Sequence, residues 1–249
     1  MSARRLLRKS RAWAAAGALI LCATLTGSAR AATSATLAPR LTPERLGAKA
    51  AMRLTIHFAG IGGGLPSPVR RAVLRLPAGL TLDVPHLRSC SSSRLRSRGA
   101  GGCPAKAALG RGHALVEAIE GSQSIAENVS LWAFLGPLHN LQPTIELLAQ
   151  GFSPLQEEVV LDGALLPTDP PYGEALTLVI PAIPTLALEP DAAIVTFSLA
   201  IGTPGRGRPR GGNTVRVPAH CPKSGFPFAA EFTYADGSLA SASATVPCP

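Results

Sequence analysis

Aromatic side chains are scarce in this 249-residue chain, at 4 % of residues. Beyond residue 31 there is one tryptophan, Trp132, and two tyrosines, Tyr172 and Tyr234. That leaves little material for the exposed aromatic platform of a sugar-binding module. The stripe Phe226, Phe228, Phe232, Tyr234 has strand spacing and reads as core. The five histidines (57, 86, 113, 139, 220) are scattered, without His-x-His or His-Glu-x-x-His spacing. No Cys-x-x-Cys pair offers a zinc site. A serine-hydrolase elbow, Gly-x-Ser-x-Gly, is missing, and Gly151-Phe-Ser-Pro154 reads as a turn. The Gly-rich stretch from Gly60 to Ser67 lacks the Gly-Lys-Ser/Thr ending of a phosphate loop. Glu157, Glu158 and Asp162 are the densest acids, but neighbours in a strand point to opposite faces, so Glu157 and Glu158 do not form a facing pair. The expectation is a non-enzymatic chain with no catalytic residues, no metal ligands and no cofactor.

Long apolar runs are also lacking, since no stretch after the N-terminus reaches the roughly 18 residues of a transmembrane helix. The N-terminus itself has the three parts of a secretory signal peptide. Arg4, Arg5, Arg8, Lys9 and Arg11 are its basic region, residues 13–25 its apolar core, and Ala29-Arg30-Ala31 its small-residue cleavage site. Residues 1–31 are therefore expected to be removed by cleavage near Ala31, and the mature chain to be secreted or held at the cell surface. Those residues carry six basic side chains and no acid, which matters for the net charge of +9. Without them 18 basic residues face 15 acidic ones, a balance that gives no support to nucleic-acid binding.

Four cysteines follow residue 31: Cys90, Cys103, Cys221 and Cys248. An even count in an exported chain reads as two disulfides, with three connectivities open. The cysteines fall into two separated couples, which favours 90–103 and 221–248.

What the chain has in plenty is turn residues, 25 Gly and 23 Pro, between short alternating apolar runs. Residues 32–45 are Ala/Thr/Pro-rich and read as a flexible leader. Strands are expected over 50–58, 69–76, 113–119, 129–135, 144–149 and 158–161. Residues 176–180 and 192–201 are apolar on both faces, as strands are between two layers. Near the end, Asp236-Gly237 signals a two-residue hairpin turn that places Cys248 opposite Gly225, a short fold-back away from Cys221. Little reads as helix. The fold expected over residues 46–249 is all-β: a disulfide-stapled antiparallel sandwich, Ig-like or larger, or two packed sandwiches with a boundary near residues 121–124.

Leu76-Pro-Ala-Gly-Leu80, Cys90, Cys103-Pro104, Gly110, the Pro181/Pro184 turn, Pro218-x-x-Cys221, Asp236-Gly237 and the terminal Cys248 form an ordered set. In this order the chain resembles a group of uncharacterised secreted actinobacterial β-rich proteins with paired Cys-Pro motifs. The resemblance covers about residue 41 to the end. It implies an extracellular β-rich domain and brings no activity or site residue with it.

The segment closed by Cys90 and Cys103 is the sharpest locally charged feature. Arg94, Arg96, Arg98 and the nearby Arg111 form a candidate anion-binding loop, with no acid between Asp83 and Glu117. Exposed together, they would attract an anionic envelope polymer or lipid headgroups. Arg206, Arg208 and Arg210 form a second basic loop. The functional expectation is a structural or binding protein of the cell surface. The alternatives are a carrier of an apolar ligand, with 176–180 and 192–201 lining a cavity, or an unrecognised extracellular hydrolase.

Overall fold

The computed structural model describes residues 33–84, 86–120, 123–153, 156–183, 185, 191–202 and 214–249. The expected signal peptide, the second basic loop and parts of the 181–191 connection lie outside them. The strands are β1 (Ser34–Thr42), β2 (Lys49–Ala59), β3 (Val69–Pro77), β4 (Thr81–Leu82), β5 (Ala108–Glu120), β6 (Gln123–Leu135), β7 (Thr144–Gln150), β8 (Glu158–Pro167), β9 (Tyr172–Val179), β10 (Ala193–Ile201), β11 (Val215–Arg216), β12 (Phe226–Tyr234) and β13 (Leu239–Val246). One short helix, α1 (Ser92–Arg98), interrupts them.

The fold is all-β and antiparallel, as the alternation predicts. The strands do not divide into two sheets, however. Thirteen belong to one sheet, in which β4 and β11 form a two-residue side ribbon on the start of β2. The other eleven run β1-β2-β10-β5-β6-β7-β8-β9-β3-β12-β13, each antiparallel to its neighbour. The sheet curls until its edge strands, β1 and β13, pack beside each other. The facing layers of the core thus belong to one coiled sheet around a lumen.

Register fixes which side chains enter that lumen, because a period of two sends alternate residues to one face. Leu54 of β2 faces Leu199 of β10, Leu147 of β7 faces Leu161 of β8, and Leu176 of β9 faces Leu74 of β3. On β12, Phe226, Phe228, Ala230, Phe232 and Tyr234 are all buried, as their spacing predicts. Phe232 meets Phe58 of β2 edge-to-face at 4.9 Å.

Several strands exceed their sequence signal. β8 runs through Asp162-Gly163, expected as its end. A Cβ at Gly163 would stand 2.7 Å from Leu176 and Leu178, so those leucines cover the strand where a side chain is missing. Residues 34–42, expected within a flexible leader, form β1 instead. Leu37 and Leu41 are buried against β2, and Pro39 sits on an edge strand, where a missing N–H is tolerated. Across the boundary proposed near 121–124, β5 and β6 stay paired, from Ala108–Phe134 to Glu120–Gln123. Residues 31–249 form one compact unit. The strand expected to be apolar on both faces at 176–180 is covered on one only, with Val179 67 % exposed on the other.

Both disulfides form the local pairs, Cys90–Cys103 and Cys221–Cys248, with Cα separations of 5.5 and 6.0 Å. The C-terminal hairpin differs by one residue from expectation. Tyr234 N–H donates to Ser238 O, so the loop holds three residues, with Gly237 in the left-handed region at φ 79°.

Candidate functional site

Two features could act on other molecules: the lumen, and the clamped segment on the outside of the same β7–β8 hairpin.

The lumen is a continuous cavity of about 110 Å³, reached by side chains of β2, β3, β7, β8, β9, β10 and β12. Both strands singled out as doubly apolar contribute to its wall, through Leu176, Leu178, Phe197 and Leu199 among others. Several inward side chains are only half-buried, including Leu74, Leu161, Leu178, Ile194 and Phe197, although they belong to the core. Their uncovered surface faces the cavity. Apolar cavities of about 150 Å³ are known to stay dry and to accept benzene-sized guests. A water in such a space needs two to four polar partners, as a rough rule. Among the described residues the polar residues beside the cavity are Thr81 and Glu174, and both border it almost wholly through their apolar atoms.

The end of the sheet where they stand is built by the last residues of β3, the first of β9 and the β4 segment. Glu174 faces Leu76 of β3 and Pro167 of β8, and continues the inward series Glu174, Leu176, Leu178. It is half-buried, and burial alone pushes its carboxyl above the usual range. Another acid stands toward the opposite end. Glu127, 3 % exposed, accepts hydrogen bonds from the N–H groups of Phe152 and Ser153 at 2.7 and 3.0 Å. These bonds tie the residues just after β7 to β6.

On the outer face, α1 opens at Ser91, whose hydroxyl accepts from the Arg94 N–H at 3.3 Å as an N-cap. Leu95, fully buried, points down with Cys90 and Ala107 onto Phe134 and Leu148. The expected arginine cluster is split by this packing. Arg94 Nε donates to the Gly102 carbonyl at 2.5 Å, and Arg96 reaches the Asp162 carboxylate at 3.4 Å. Arg98 is exposed at the helix end, and Arg111 is exposed on β5. Two of the four candidate residues therefore hold the loop itself.

Asp162 joins an acid the sequence reading passed over. It sits opposite Glu146 on β7, and Glu146 is 3 % exposed. Burial, a hydrogen bond with Asp162 and the charge of Asp162 push the Glu146 carboxyl up to about 8. Its Oε2 is buried and has no hydrogen-bond partner among the described residues, so the proton lies on the oxygen that faces Asp162. Bonds from Glu146, Ser92 and Arg96 hold Asp162 below the usual carboxylate range. The two acids thus share one proton, and Asp162 uses its other bonds to dock α1. Glu157 and Glu158 stand apart from this pair, exposed at the start of β8. Among the described residues, no three His, Cys, Asp or Glu side chains gather as metal ligands.

The pair makes stability depend on pH. A carboxyl raised from 4.5 to about 8 keeps its proton in the fold, so folding loses free energy as pH rises through that window. Asp162 shifts the other way, so it titrates below this window and leaves the decline between pH 5 and pH 8 to Glu146. Glu146→Gln keeps a donor to Asp162 without a titrating proton. It should flatten the decline in urea midpoint between pH 5 and pH 8.5, leaving the variant more stable than wild type by about 2 kcal/mol at the upper end. Parallel pH profiles for the two proteins would place the stability loss elsewhere.

One signal could have exposed both missed acids: each is a lone carboxyl in a run that is otherwise apolar. Glu146 falls within 144–149, and Glu174 stands two residues before 176–180, in phase with its leucines. Comparison with protein-family models, curated proteins and solved structures finds no match for this chain.

Proposed function

We propose that the chain is a non-enzymatic binding protein that carries a slender apolar ligand in the lumen of its curled sheet. The observation that carries the reading is the cavity itself: apolar over its lining and walled by half-uncovered leucines, isoleucine and phenylalanine. Ligand sites are typically concave and mostly apolar, as this lining is. A packed core gains by filling such space, at about 24 cal/mol per Å³ in a measured series, so an unfilled lumen is costly unless something occupies it. The reading also places the protein outside the cytoplasm. Support comes from the signal-peptide pattern of residues 1–31, from two disulfides, and from the resemblance to a secreted group.

The test is titration of the folded, disulfide-bonded protein with benzene, a guest on the scale of the cavity, followed as a rise in melting temperature. Wild type should bind it saturably. Leu74→Trp, which places a larger ring in the lumen from β3, should weaken binding at least about tenfold. Circular dichroism and thermal melting would verify that the variant is folded. Equal binding by a folded Leu74→Trp variant, or no binding by wild type, would discard the lumen as a ligand site.

A further inference from the structure

We infer that the outer face of β1, β2, β10, β5 and β6 binds an acidic polysaccharide, with Arg40, Arg53 and Arg111 receiving its carboxylates. This face is the reverse of the one that lines the lumen, so the assignment stands apart from the lumen reading.

Register sets the three arginines in one row. Arg40 of β1 stands directly opposite Arg53 of β2, and Ala200 of β10 faces Arg53 on one side and Arg111 of β5 on the other. Trp132 of β6 faces Arg111 and ends the row. Leu41, Leu54, Leu199 and Leu131, their neighbours along each strand, are buried, so the row lies outside. Like charges directly opposite each other destabilise a strand pair. Yet among the described residues none of the three arginines has an ion-pair or hydrogen-bond partner, whereas Arg70 and Arg75 on β3 are held by Asp191 and Glu231. β1, β2 and β10 contain no acid at all. Glu44 lies beyond the end of β1, and Glu117 of β5 accepts the Ser124 hydroxyl at 2.7 Å, three rows from Arg111.

The relief of this face suits a linear polymer. β10 turns Thr196, Ser198 and Ala200 outward, and the last two are only 5 % and 4 % exposed. The strands on either side turn out longer, exposed side chains: Arg53 and His57 on β2, Arg111 and His113 on β5. Small residues between long ones make a trough along β10 with a cation on each rim. Arg53 and Arg111 are two strand spacings apart, about 10 Å, so one saccharide chain can meet both. A guanidinium pairs bidentately with a carboxylate. Hydroxyls and imidazoles, such as the hydrogen-bonded pair Thr196 and His57, offer donors and acceptors for sugar hydroxyls. A neutral polysaccharide would leave the arginines unpaired, and a flat lipid surface would not enter the trough.

The experiment is calorimetric titration of the folded, disulfide-bonded protein with polygalacturonate fragments, with dextran of matched length and with single-stranded DNA of matched charge. Wild type should bind polygalacturonate at least about tenfold more tightly than either of the others. Raising salt from about 50 to about 300 mM should weaken that binding. Arg53→Gln with Arg111→Gln should lower the affinity at least about tenfold. Arg71→Gln with Arg98→Gln removes the same charge from β3 and the end of α1, and should leave the affinity within about twofold. All four side chains are exposed, so both variants should fold, as circular dichroism would verify. Equal losses in the two variants would reduce the effect to net charge and overturn the assignment. So would DNA binding as tight as that of polygalacturonate, or no polygalacturonate binding by wild type.

Discussion

Replacing Gly112 by alanine should cost about 3 kcal/mol or more and come close to unfolding the protein. Gly112 lies on β5 opposite Leu199 of β10. A Cβ there would stand 2.0 Å from the Ser198 carbonyl oxygen and 2.8 Å from the Leu199 Cα. Both obstacles are main chain, so no rotamer change relieves them. Gly110 repeats the arrangement two residues earlier, 2.0 Å from the Ala200 oxygen. Glycines at alternate positions let one strand approach its neighbour closely and bend, and a register shift between Ala108 and Gly110 adds to that bend. Alanine would force β5 and β10 apart at the place where the sheet turns. Gly101 is the control, because a Cβ there meets nothing within 4 Å. Urea unfolding should show a large loss of midpoint for Gly112→Ala and little change for Gly101→Ala. Similar midpoints for the two would mean that the β5–β10 contact yields freely.

The second large effect concerns the clamped segment. Removing the Cys90–Cys103 bond by Cys90→Ala with Cys103→Ala should lower stability by about 3 kcal/mol, the loop-closure value for the 13-residue separation. The segment has its own anchors: buried Leu95, the Cys90 N–H bonded to Leu135 O at 2.8 Å, and the Asp162 contacts of α1. The denatured chain has none of these, so the cost should appear mainly as a gain in its entropy. Denaturation of the double variant should therefore show a lower midpoint with native circular dichroism before the transition. A loss below about 1 kcal/mol would assign the staple's work to Leu95 and its neighbours instead.

Strands, turns and both disulfides were legible because each leaves a local mark. Alternation gave β2, β3 and β7 nearly to the residue. The Cys221–Cys248 bond followed from a hairpin whose register was wrong by one position, and that error was small enough to leave the cysteines within reach. β1 was hidden by composition: Ala, Thr and Pro around Leu37 and Leu41 read as a tail until β2 supplies a partner. α1 has seven residues, too few for helical periodicity to emerge. The curl of the sheet was not legible at all, since alternation assigns a face to each residue and says nothing about which strand closes on which. The same limit applies to the sites. The arginines were conspicuous in sequence, yet Arg94 is occupied within its own loop and Arg96 by Asp162 of β8. Glu174 was inconspicuous, and only register shows that it stands on the inner face of β9.

The eleven-strand path has a consequence for the connectivity of engineered forms. Ten successive antiparallel pairings return the chain direction to its start, so β1 and β13 run the same way where they pack together. Ser34 and Val246 therefore lie at opposite ends of that shared edge. Joining them to make a cyclised or circularly permuted protein calls for a linker as long as the strands themselves, about 25–30 Å or some nine extended residues. A short glycine bridge, enough for folds whose termini meet, would pull one edge strand off the sheet.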